Sequence, residues 1–153
     1  MTNSEPSNDE WSSDLWERAA QNLVRKLEEP SGSIEVYFPT AHLCVTRARG
    51  HLSVPIARML PEAYEAHGPQ SQLIASFHDW QGLKTYETEA RRLLTVWTLA
   101  TSRNLRAIEI LAGSRVVAMG IGAASLATKA IRLPMLSYTN RFDFERSLAR
   151  ALP

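Results

Sequence analysis

The chain has 153 residues, 44% of them hydrophobic and 22% charged, with a formal net charge of +1. That length suits one domain with a full core, and the composition is that of a globular protein, not a disordered or fibrous one. A charge so near neutral excludes a globally basic nucleic-acid binder, the single cysteine, Cys44, excludes an internal disulfide, and no apolar run reaches the roughly 18 residues of a membrane span.

The polar start lacks the apolar segment of a signal peptide, so the expectation is a cytoplasmic protein. Residues 1–30 carry seven acids against three bases. Two solvated surfaces explain that asymmetry better than an acidic helix docked on a basic body, because exposed ion pairs contribute little.

Residues 1–10 read as a disordered tail. An amphipathic helix is expected over 11–29: Trp11, Leu15, Ala19, Leu23 and Leu27 recur every fourth residue, with Trp16, Ala20 and Val24 widening the stripe. Ser12, Ser13 or Asp14 can cap it. Its acidic polar side favours docking on its own domain or on a homodimer mate over a lipid surface.

Residues 34–38 and 43–49 alternate apolar and polar around a short linker, the pattern of an antiparallel hairpin. A helix then starts at Ser53 with Pro55 in its first turn and stops at Gly68-Pro69; Pro61 inside it predicts a kink or break. Strand 73–77, loop 78–86, helix 87–102 and strand 106–111 make one βαβ unit with a right-handed crossover between parallel strands. A stretch rich in small residues, 115–130, precedes a strand at 133–138. Thr139 or Asn140, the latter with Asp143 three residues on as in a capping box, then opens a final helix over 142–152.

The residues that carry chemistry do not assemble a catalytic site. His42, His51, His67 and His78 are scattered, without the spacing of a metal site. Gly120-Ile121-Gly122 fails as a dinucleotide motif because it does not directly follow a strand and lacks its third glycine; close packing of a small-residue helix explains it better. Gly113-Ser114-Arg115, a turn after a strand at a helix start, is a candidate anion site or an ordinary cap. His78-Asp79 ends the central strand, where α/β sheets tend to hold ligands, and Trp80 beside it is either a contact residue or packed on the next helix. The expectation is a protein that is not an enzyme, with no metal and no cofactor.

The element order from residue 34 onward resembles the STAS family, and more closely the small bacterial proteins called SpoIIAA-like or STAS/SEC14-like. The residues carrying the resemblance are 77–83 (Phe77-His78-Asp79-Trp80-Gln81-Gly82-Leu83), 86–91, 111–120 and the closing run 138–145. The resemblance implies an α/β, STAS-like mixed sheet of four to five strands with helices mainly on one face, spanning 34–152, with the N-terminal amphipathic helix as an addition. In the antagonist branch of that family a serine opening the helix after the central strand is phosphorylated. The matching position here is Thr88, a candidate phosphoacceptor, although flanking Glu87 and Glu89 would repel an added phosphate.

The leading functional expectation is a regulatory module that contacts an unknown protein partner through His78, Asp79, Trp80, Gln81 and Glu87, in the manner of an anti-sigma-factor antagonist. The alternative is SEC14-like binding of a small ligand or lipid between sheet and helices. A cavity among Leu94, Trp97, Met119 and Met135 favours the alternative; a filled core favours the first.

Overall fold

The computed structural model describes residues 13–68 and 73–153. The expected tail and Trp11 lie outside the described residues. Along the rest run α1 (Ser13–Ala19), β1 (Leu23–Glu29), β2 (Gly32–Thr40), β3 (Leu43–Leu52), α2 (Val54–His67), β4 (Ile74–Trp80) and β5 (Leu83–Tyr86). They are followed by α3 (Thr88–Thr101), β6 (Leu105–Ala112), α4 (Arg115–Lys129), β7 (Met135–Tyr138) and α5 (Arg141–Ala151).

One mixed seven-stranded sheet has the order β1-β2-β3-β4-β6-β7, with β5 paired to β3 off that path. β1, β2 and β3 are antiparallel neighbours, while β3, β4, β6 and β7 are parallel. β4 and β5 run in succession along the same flank of β3, β4 opposite residues 43–47 and β5 opposite residues 50–52. The expected βαβ unit is present as β4-α3-β6. The α/β class with a mixed sheet stands, but among the described residues the sheet has seven strands where four to five were expected.

The long N-terminal helix is the main correction. α1 ends at Ala19, and Leu23–Glu29 is an edge strand on β2. A spacing of four residues satisfies a helix, but it also falls on every second position of one face of a strand, so Leu23 and Leu27 did not discriminate. Asn22, at φ 59°, adopts the left-handed turn that asparagine tolerates, and its side-chain amide donates to the Phe38 carbonyl at 3.2 Å. Pro30 and Ser31 form the two-residue connection, since Glu29 pairs with Gly32. That turn crosses the end of β3 so closely that a Cβ on Gly32 would lie 2.3 Å from the His51 carbonyl oxygen.

α1 itself docks on its own sheet. Leu15 and Ala19 are buried, and Trp16 meets Tyr37 edge-on at 5.5 Å. Of the two expected docking places, its own domain or a homodimer mate, these residues use the first. α2 runs unbroken through Pro61, where a kink or break was expected.

Two helical layers cover the sheet. α2, α3 and α4 pack over one core with Ile34, Val36, Phe38, Ile108 and Ile110; α1 and α5 pack over the other with Leu43, Val45, Phe77 and Leu111. α5 begins at Asn140, whose Oδ1 accepts from the Phe142 and Asp143 N–H groups, as a capping asparagine should. Among the described residues no helix is long and apolar enough to cross a membrane.

Candidate functional site

β4 is buried along its whole length and alternates its side chains between the two layers. Ile74, Ser76, His78 and Trp80 face α2, α3 and α4. Ala75, Phe77 and Asp79 face α1 and α5. Each half of this alternation builds a different feature.

On the first side a cavity of about 80 Å³ lies between the sheet and the pair α3–α4. Leu94 and Trp97 of α3, Val117 and Ile121 of α4, Ile108 and Ile110 of β6 and Met135 of β7 contribute apolar walls. Ser76, His78 and Trp80 supply its polar floor, and half-exposed Arg91, Thr95 and Ala124 lie where it approaches the surface. One side of α4 comes close: a Cβ on Gly120 would sit 2.9 Å from the Tyr86 ring, so a larger residue there would have to displace that ring. Small residues thus do pack closely at Gly120, yet they leave space beyond it.

The floor is held by a buried hydrogen-bond relay. The Trp80 indole N–H donates to Thr46 Oγ1 at 3.1 Å, and Thr46 Oγ1 lies 2.6 Å from His78 Nδ1. Across the ring, His78 Nε2 lies 2.9 Å from Ser76 Oγ, which accepts from the Tyr64 hydroxyl at 3.2 Å. The indole can only donate, so Thr46 Oγ1 accepts from it, and Thr46 and Ser76 hold the two ring nitrogens of His78 from opposite sides. Burial pushes His78 down to about 3, which keeps it neutral at physiological pH. Burial also pushes the Cys44 thiol beside this relay up to about 12, keeping it an unreactive thiol. No buried side-chain N or O atom among the described residues lacks a partner.

On the second side Asp79, only 2% exposed, accepts from Arg141 Nη2 at 3.0 and 3.2 Å and from Arg47 Nε at 3.4 Å. Arg141 also donates to Gln81 Oε1 at 2.7 Å and to Glu145 Oε1 at 3.3 Å, tying α5 to the β4–β5 turn. Arg47 stacks over the Trp16 ring at 4.1 Å, which ties α1 to the same cluster. Burial draws the Arg47 pKa below the usual guanidinium range, against the pull of Asp79. An open polar cleft of about 370 Å³ lies beside these groups, rimmed by Arg49 and Lys84.

The expected contact surface is therefore mostly interior. His78, Asp79 and Trp80 are 3%, 2% and 8% exposed, so they cannot touch a partner. A strand covered on both faces normally contains few polar residues, so in the sequence these residues look like the start of a loop. Gln81 is half-exposed and fixed by Arg141, and Glu87, though exposed, accepts from the Val54 N–H at 3.1 Å at the start of α2. Thr88 is exposed as the first residue of α3.

At the expected anion site, Ser114 accepts from the Val117 N–H at 3.1 Å and donates to the Lys84 carbonyl at 3.0 Å. Gly113 lies against the Gln81 backbone, and Arg115 is exposed. The geometry of this turn is that of a helix cap. The hydrogen-bonding roles of Thr46, Tyr64 and Arg141 are not legible in the sequence, because their partners lie 32, 12 and 62 residues away in the chain. Among the described residues no group of three or more potential metal ligands comes together.

Comparison with solved structures finds the crystal structure of an uncharacterized protein from the DUF3478 family, from Shewanella loihica PV-4, described as having a SpoIIAA-like fold. The match has a TM-score of 0.55 at 14% identity and covers 81% of this chain and 98% of that one. The fold is SpoIIAA-like. At that identity the likeness reaches the fold and a STAS-type architecture and no further. Scans against protein-family models and curated proteins find no match.

Proposed function

We propose that this protein binds a small, largely apolar molecule in the cavity between the sheet and α3–α4. The observation that carries the reading is the cavity itself: apolar walls with a few convergent, pre-organised polar groups at the floor are the usual make-up of a small-ligand site. Leu94, Trp97 and Met135 line it, whereas Met119 is 74% exposed and belongs to the outside. Its size limits the ligand. A cavity of about 150 Å³ accepts benzene, so one of about 80 Å³ suits a short alkyl group or the end of a longer chain reaching in between the helices.

Titrating the full chain with a series of alkyl carboxylates of increasing length, followed by Trp97 and Trp80 fluorescence, tests this. Binding should saturate and should weaken by about tenfold or more in Ala124→Phe, whose ring occupies the approach and clashes with an entering ligand. A flat response across the series, in protein shown to be free of a retained ligand, removes the proposal.

The regulatory reading now rests on Thr88, whose exposure leaves it open to a kinase. Phosphopeptide mapping from native cells separates the two readings. A Thr88 that stays unmodified through growth and stress removes the phospho-switch.

A further inference from the structure

α4 turns Val117, Gly120, Ile121 and Thr128 into the domain. Its outer side is apolar as well: Val116, Met119 and Leu126 are 49%, 74% and 73% exposed. A Cβ on Gly122 would meet nothing within 4 Å, so the middle of this outer side is uncovered. Exposed large apolar side chains gathered on one helix face mark a surface that meets something other than water.

The charge around this face narrows what that is. α4 contains no acid, and it begins with exposed Arg115 and ends with exposed Lys129. Residues 90–134 hold seven bases and a single acid, Glu109. Glu109 is not on this surface: it is buried, accepting from the Tyr138 hydroxyl at 2.5 Å and the Ser147 hydroxyl at 2.6 Å. Glu89, just before that stretch, is paired with Arg92. A second copy of the chain is a poor occupant. Two α4 faces packed antiparallel set Arg115 against Lys129, and packed parallel set like against like, with no acid in either helix to relieve the repulsion.

An apolar helix face whose own helix carries cations and no acid matches the interface of an anionic bilayer, where apolar side chains enter the headgroup–acyl boundary and Lys or Arg meet lipid phosphates. We propose that the protein docks peripherally on anionic lipid membranes through the outer face of α4, with Met119 and Leu126 inserted and Arg115 and Lys129 facing the headgroups. The docking face lies beside the α3–α4 approach to the cavity, but it rests on its own observations and holds whatever the cavity binds.

Co-sedimentation of the full chain with vesicles is the test. Vesicles of phosphatidylcholine and phosphatidylglycerol in equal parts should bring the protein down at low salt, pure phosphatidylcholine should not, and added salt should release it. The double variant Met119→Glu/Leu126→Glu should lower the partition by at least about tenfold, as should Arg115→Gln/Lys129→Gln, since each cation near an anionic surface contributes about a fivefold factor. All four side chains are exposed, so the thermal midpoint should not move, and circular dichroism checks that it does not. Four results would overturn the proposal. One is recovery from mixed vesicles no greater than from neutral ones. A second is binding of the apolar double variant equal to that of the parent. A third is competition by poly-glutamate against parent and apolar variant alike, the behaviour of a general polyanion site. The fourth is a concentration-dependent dimer in sedimentation velocity, dissolved by Leu126→Glu, which would assign the face to a second copy.

Discussion

Beneath α5, Phe144 and Leu148 are fully buried, Phe144 meets the Phe77 and Tyr138 rings at 6.0 and 5.8 Å, and Arg141 closes the layer onto a buried carboxylate. Beneath α3 and α4, Leu94 and Trp97 are only half-buried around a cavity of about 80 Å³. The same strand, β4, serves both layers through alternate side chains. One layer fastens the fold with packing and ion pairs. The other keeps a gap whose polar floor is fully hydrogen-bonded, so the gap does not depend on an orphaned group to explain it. Interiors this loosely filled are uncommon in a domain that otherwise packs well, which is why the cavity is read as a site.

Substitutions of the same chemistry in the two layers sharpen this contrast. Leu148→Ala should cost about 3–5 kcal/mol by urea denaturation at neutral pH, because the α5 layer has little room to collapse into the space left. Arg141→Ala should cost about 3 kcal/mol, since it leaves Asp79 buried with Arg47 as its remaining cation.

His78 gives a pH signature on the cavity side. Its folded pKa of about 3 lies below the ordinary 6.5, so the unfolded chain takes up the proton first. Its stabilising contribution is complete above about pH 6.5 and is lost as pH falls toward 3. The difference in stability between the parent and His78→Gln should therefore shrink by about 2–3 kcal/mol between pH 7 and pH 4.5. A pH-independent difference would mean that the relay tolerates a charged imidazole. The smallest effect belongs to Leu94→Ala, at about 1–2 kcal/mol, because the side chain already borders space. If Leu94→Ala costs as much as Leu148→Ala, the two layers are packed alike and the contrast fails.

Local signals carried well from sequence to structure. The β2–β3 hairpin, the β4-α3-β6 unit and the Asn140 cap rest on alternation, helical periodicity and a capping side chain, each confined to a few residues. β1 was not legible because a spacing of four fits two conformations, and the choice is made by pairing with β2. β5, four residues long, is too short to show a period. His78 and Asp79 were visible as unusual residues at the end of the central strand, but not as buried ones. The partners that make their burial tolerable lie 32 residues away at Thr46 and 62 away at Arg141. Polar residues looked like surface because sequence shows a polar group without showing what satisfies it.

Native mass spectrometry of the full chain, purified from the cells that make it and repeated with Ala124→Phe, addresses the cavity most directly. The expected result is a bound adduct with the mass of a small, largely apolar molecule, present on the parent protein and lost from the variant. A parent protein of bare mass, combined with no binding across the alkyl carboxylate series, would contradict the account.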